Sequence, residues 1–71
     1  MNQSNVDNAM QQLVEKLGTE MGIFAEDNEI SVSVINTETK KVERILRENN
    51  IEFKKDGIDD LVITYTFEGQ Y

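Results

Sequence analysis

Residues 51–67 read Ile51-Glu52-Phe53-Lys54-Lys55-Asp56-Gly57-Ile58-Asp59-Asp60-Leu61-Val62-Ile63-Thr64-Tyr65-Thr66-Phe67. Both ends of the stretch alternate apolar and polar residues, and Asp-Gly between two such runs is a strong hairpin signal. Parity then constrains the turn. A two-residue turn at 56–57 pairs Phe53 with Asp60, which puts Ile51 and Phe53 on the face opposite Leu61, Ile63, Tyr65 and Phe67. A three-residue loop with Gly57 in the left-handed conformation pairs Phe53 with Leu61 and Ile51 with Ile63, and all the large apolar side chains share one face. A slip of one residue turns a whole strand over, so the longer loop or a bulge is expected. The last strand, 61–67, is the most apolar and is expected at the centre of the sheet, antiparallel to its neighbours.

Upstream, Val42, Ile45, Leu46 and Asn49 share one face of a helix over 38–49, with Asn36 or Thr37 as its cap and Asn50 as a left-handed stop. Glu43 and Arg47 form an i,i+4 pair in the favourable order. Ile30, Val32 and Val34 alternate with Ser31 and Ser33, the pattern of a strand with one buried face. Glu26-Asp27-Asn28-Glu29 reads as a turn. Residues 23–25 either pair back onto that strand or extend the preceding helix. That first helix carries Val6, Met10, Leu13, Val14, Leu17 and Met21 as one apolar stripe. Ser4 or Asn5 caps it, Asp7 lies in its first turn, Gly22 ends it, and Gly18 loosens its last turn. Residues 1–5 are expected to fray.

The expected architecture is a single α+β domain over 6–71 in the order α-β-α-β-β. Its three-stranded, mainly antiparallel sheet has both helices on one face. The other face, with Glu52, Lys54, Thr64, Thr66 and the serines, is polar enough to meet water.

A chain of 71 residues holds one domain, and one this short gains little net stability from burial alone. It has no Cys and no His, so disulfides, catalysis through a histidine base and a structural zinc site are not expected. Tight packing or self-association are the remaining routes to stability. The residues Met1-Asn2-Gln3-Ser4-Asn5 lack the basic and apolar regions of a signal peptide, no run approaches the length of a membrane span, and a cytoplasmic location is expected. The sequence carries no Gly-Lys-Ser/Thr phosphate loop and no dinucleotide glycine pattern. The carboxylates at 26–29 and at Asp56, Asp59 and Asp60 lack the spacing of an EF-hand and read as turn chemistry, with a weak loop cation as the sharper reading. Neither an enzyme, a cofactor nor a metal site is expected.

The formal net charge is −7, unevenly spread. Residues 1–38 carry −6, residues 39–55 carry +3 and residues 56–71 carry −4. On the second helix Lys40, Arg44 and Arg47 form one stripe opposite the apolar face, flanked by Lys41. The bland reading is a solvated helix face; the sharper one is a contact for an acidic partner. Nucleic acid is disfavoured by the net charge and by the lack of interleaved aromatic residues. Lys54 and Lys55 guard one edge of the sheet. The 30–35 strand, with Ser31 and Ser33 facing out, has no such guard unless 23–25 covers it, and is a candidate dimer edge.

These features predict a small acidic, non-catalytic module that binds another protein and self-associates, with Lys40, Lys41, Arg44 and Arg47 as candidate partner contacts. The alternatives are an acidic inhibitor that mimics phosphates in the basic groove of a nucleic-acid enzyme, and a nucleic-acid accessory protein using the same basic stripe.

Overall fold

A computed structural model describes residues 3–57 and 60–71. Two helices, α1 (Gln3–Leu17) and α2 (Thr39–Glu48), pack on a sheet of four strands, β1 (Met21–Glu26), β2 (Glu29–Ile35), β3 (Lys54–Gly57) and β4 (Val62–Glu68). The strand order is β1-β2-β4-β3, and every pairing is antiparallel. The chain is thus a small α+β domain with four strands rather than three. The extra strand comes from the segment around 23–25, which pairs back onto β2 from Met21↔Val34 to Glu26↔Glu29. β4 lies between β2 and β3, at the interior position its composition suggested.

The end of α1 decides this difference. Met21 sits four residues beyond Leu17 and extends the helical stripe on paper, but Gly18 has φ 54. Without a Cβ, glycine adopts that conformation at little cost and turns the chain out of the helix. Met21 therefore reaches the core from the sheet, and Gly22 lies within β1 instead of ending the helix. At the other end α1 starts at Gln3, inside the stretch expected to fray and ahead of Ser4 and Asn5. The Gln3 amide donates to Asp7 Oδ1 at 2.8 Å and to the Gln70 carbonyl at 2.7 Å. Val14, expected in the buried stripe, is 43% exposed.

The sheet faces follow from the registers. Met21, Ile23 and Ala25 of β1 align with Val34, Val32 and Ile30 of β2, and these with Ile63, Tyr65 and Phe67 of β4. Both helices cover this face. Val6, Ala9, Met10, Leu13 and Leu17 of α1 join Val42, Ile45 and Leu46 of α2 in one core with the strand residues. No polar or charged residue of the described set is buried. The opposite face is open, and on it Ser31 bonds Thr66 (3.3 Å) and Ser33 bonds Thr64 (3.0 Å) across β2 and β4.

The C-terminal hairpin keeps the expected parity but not the expected register. Lys54 pairs with Thr66 and Gly57 with Ile63, so Asp56-Gly57 belongs to β3 and the loop falls later. Of that loop, Ile58 and Asp59 lie outside the described residues, as does Asp59 in the proposed carboxylate cluster. Pairing Lys55 with Tyr65 leaves the apolar faces aligned, and Phe53 packs edge-on against Tyr65 with ring centroids 5.4 Å apart.

A 3₁₀ turn, Asn36–Glu38, precedes α2, and no side chain caps the helix. Asn36, one of the two expected caps, instead donates through its side chain to the Asp60 carbonyl and through its backbone to the Leu61 carbonyl, tying β2 to the entry of β4, and Thr37 does not cap the helix either. The far end matches expectation. Asn50 has φ 58, its N–H donates to Arg47 O, and the Ile51 N–H donates to Leu46 O. That bond pair is the Schellman arrangement, which satisfies the last helical carbonyls.

Candidate interaction surfaces

β2 is an interior strand with β1 on one side and β4 on the other. The dimer edge expected at Ser31 and Ser33 is therefore already paired, and the hydroxyls of both residues bond within the sheet. The outer edges belong to β3 and β1. β3 is four residues long and carries Lys54 and Lys55, the usual guards against edge-to-edge pairing. β1 is six residues, Met21-Gly22-Ile23-Phe24-Ala25-Glu26, with neither lysine nor proline. Its Phe24 is 64% exposed on the open face. The free edge has thus moved one strand outward, onto a more apolar strand.

The basic residues of α2 separate into two groups. Arg47 turns toward the sheet, with its guanidinium 3.2 Å from Glu43 Oε1 and 5.7 Å from the centre of the Phe53 ring. Lys40, Lys41 and Arg44 lie on the side facing α1, where with Lys16 and Ile45 they line a shallow groove of about 340 Å³. Lys41 pairs with Glu38 at 3.1 Å and Arg44 with Glu48 at 3.7 Å. Lys16 and Lys40 have no carboxylate within ion-pair distance among the described residues. Lys16 could not be assigned to this group from the sequence, because it lies on the polar side of a helix whose packing angle on α2 is a tertiary property.

Glu43 has three polar partners. Its carboxylate accepts the Tyr65 hydroxyl at 2.6 Å and pairs with Lys55 Nζ at 2.8 Å and with Arg47. The Lys55 ammonium, then the Tyr65 hydroxyl, hold Glu43 below its ordinary pKa, against a smaller opposing effect of burial. Burial, then the bond to Glu43, pushes Tyr65 well above its ordinary value. The sequence showed the Glu43–Arg47 pair and the core position of Tyr65; their meeting depends on where α2 crosses the sheet.

Below Lys54 the chain leaves β4, which opens a shallow cleft of about 660 Å³ between residues 50–54 and Phe67–Glu68. Val6, Ile51, Phe53 and Phe67 contribute its apolar surface, and Glu43 and Tyr65 do not line it. Among the described residues no group of three or more potential ligands could hold a metal ion, and no helix is long and apolar enough to cross a membrane. No family model and no curated protein matches the sequence.

Proposed function

We propose that the chain is a non-catalytic protein–protein interaction module that self-associates through the outer edge of β1. The observation that carries this reading is an unguarded six-residue edge bearing an exposed Phe24. An exposed, flat, apolar edge is a template for another strand. A second copy is a suitable partner because antiparallel pairing about a two-fold axis is self-complementary. With the axis at Ile23, Gly22 of one copy lies opposite Phe24 of the other, so each aromatic ring covers a glycine that has no side chain of its own to pack. The product is a continuous eight-stranded sheet with the helices of both copies on one side.

Sedimentation equilibrium across micromolar concentrations tests the proposal. The expected mass is twice that of the monomer. Phe24→Lys places a charge at the centre of the joint while leaving the core intact, and is expected to weaken association at least about 30-fold with an unchanged circular dichroism spectrum. A monomer at high micromolar concentration, or a dimer indifferent to Phe24→Lys, defeats the proposal.

One observation favours the acidic-inhibitor reading in second place. The registers set Glu26, Glu29 and Glu68 side by side across three strands. Like charges directly opposite one another destabilise a sheet, and a binding role would compensate for that cost. Under this reading a basic partner captured from extract is released by added DNA, and charge reversal at Glu29 abolishes capture.

A further inference from the structure

We infer that the groove between the last turn of α1 and the first turns of α2 is a docking site for an acidic peptide segment of another protein. The groove gathers Lys16 from one helix and Lys40, Lys41 and Arg44 from the other around Ile45. That is four of the seven basic residues of a chain with net charge −7. Concentrating them at one place creates a local potential opposite in sign to that of the molecule as a whole.

The ion pairs show which charges are available. Lys41 is engaged by Glu38, which is largely buried, and Arg44 pairs weakly with the exposed Glu48. Lys16 and Lys40 face the groove from opposite helices with no carboxylate within ion-pair distance among the described residues. Their aliphatic stems supply the apolar surface beneath the ammonium groups, since Ile45 at the base of the groove is only 2% exposed. A segment that alternates carboxylates with aliphatic side chains matches both features.

Nucleic acid matches them less well. No aromatic side chain lines the groove to stack a base. Glu38 and Glu48 flank the cations and interrupt any continuous track for phosphates, and the net charge opposes a long polyanion.

Fluorescence anisotropy with a labelled octapeptide of alternating Glu and Leu, in low salt, reads the site directly. Binding is expected, and it weakens as salt is raised. Lys16→Glu and Lys40→Glu are each expected to reduce affinity roughly ten-fold or more. Their neutral counterparts Lys16→Gln and Lys40→Gln give smaller losses, and these guard against a folding defect in the charge-reversed forms. Phe24→Lys, on the outer edge of the sheet and away from the groove, leaves peptide binding unchanged, so failure of the β1 edge and failure of the groove are separable. The inference is overturned if the peptide does not bind at low salt, or if the Lys16 and Lys40 variants bind it as the parent does. Tighter binding of a single-stranded oligonucleotide of equal length also overturns it.

Discussion

Replacing Glu43 with alanine is expected to lower the melting temperature by roughly 10–15 °C, although Glu43 lies at the margin of the buried face of α2 and outside the apolar core. Three partners lose their acceptor, but they do not weigh equally. Lys55 has 49% and Arg47 69% of its side-chain surface exposed, so water and salt replace most of what they lose, and such pairs contribute at most about 1 kcal/mol. Tyr65 is different. The residue is fully buried, and its hydroxyl reaches Glu43 at 2.6 Å. A hydrogen bond to a charged acceptor contributes about 1.5–3 kcal/mol, and the Thr39 hydroxyl, the other side-chain partner of Tyr65, is neutral and replaces only part of that. For a domain of this size each kcal/mol moves the melting temperature by about 4–8 °C. A double-mutant cycle separates the contributions. Once Tyr65 is phenylalanine, Glu43→Ala should cost less than half of its effect in the parent chain. A shift below about 3 °C for Glu43→Ala, or additive single and double effects, would show that the hydroxyl finds another acceptor.

The same pair sets a pH dependence at both ends of the range. Glu43 is held below its ordinary value of 4.5 by Lys55 and Tyr65. Its contribution is therefore complete above that value and is lost as pH falls below it toward the folded-state pKa. Tyr65 is raised above its ordinary 10.0 by burial and by Glu43. Its contribution is complete below that value and declines as pH rises past it, because the unfolded chain ionises while the folded residue stays protonated. Urea denaturation should give a stability difference between the parent and Glu43→Gln that is level near neutrality and shrinks below pH 4.5. The difference from Tyr65→Phe should be level up to pH 10.0 and shrink above it. A difference that stays constant through either limit contradicts the corresponding assignment.

How much of this was legible in the sequence depended on whether the signal was local. The buried positions Val6, Met10, Leu13 and Leu17 of the first stripe, the alternation from Ile30 to Val34 and the left-handed stop at Asn50 are each settled within one or two turns of chain, and the structure has them as read, with Val14 the one member of that stripe left exposed. The parity argument for the last hairpin also held, because it rests on which faces must be buried. The register did not follow, since any even shift preserves parity, and the chosen pairing also brings Phe53 against Tyr65 and Lys55 beside Glu43. Met21 shows the opposite failure. Its spacing from Leu17 suits a helix, but its partner Val34 is thirteen residues away, and Gly18 could be recognised as the stop only if that pairing was already known. This one residue moved the free edge of the sheet from Ser31 and Ser33 to Phe24. The groove was half legible for a similar reason: Lys40, Lys41 and Arg44 form a stripe on their own helix, whereas Lys16 joins them only through the packing of α1 against α2.

Gly69→Ala is the other substitution expected to act strongly, from the third-last position of the sequence. Gly69 has φ 158 and is buried against α1. A Cβ there would lie 2.8 Å and 3.0 Å from the two γ-methyls of Val6 and 3.3 Å from Ile30 Cδ1. Backbone strain in that region is worth about 1–3 kcal/mol, and overpacking a filled site costs a similar amount. The chain has an alternative, which is to release the C-terminus and keep the core. Release forfeits the bond from Gly69 N–H to Asn28 O at 2.8 Å and the reciprocal bonds between Gln70 and Gln3. It also frees the first turn of α1, which those bonds hold against the sheet. The smaller of the two costs governs, so the expected loss is about 2–3 kcal/mol, with faster hydrogen exchange at the position-69 amide and in residues 4–6. In a Val6→Ala background, which lacks the two γ-methyls but keeps Ile30 and the backbone strain, Gly69→Ala should cost less than in the parent but not nothing. No cost in that background would mean the clash with Val6 acts alone. A loss under about 0.5 kcal/mol with unchanged amide protection would mean that the C-terminus is not fastened to α1 in the way these contacts require.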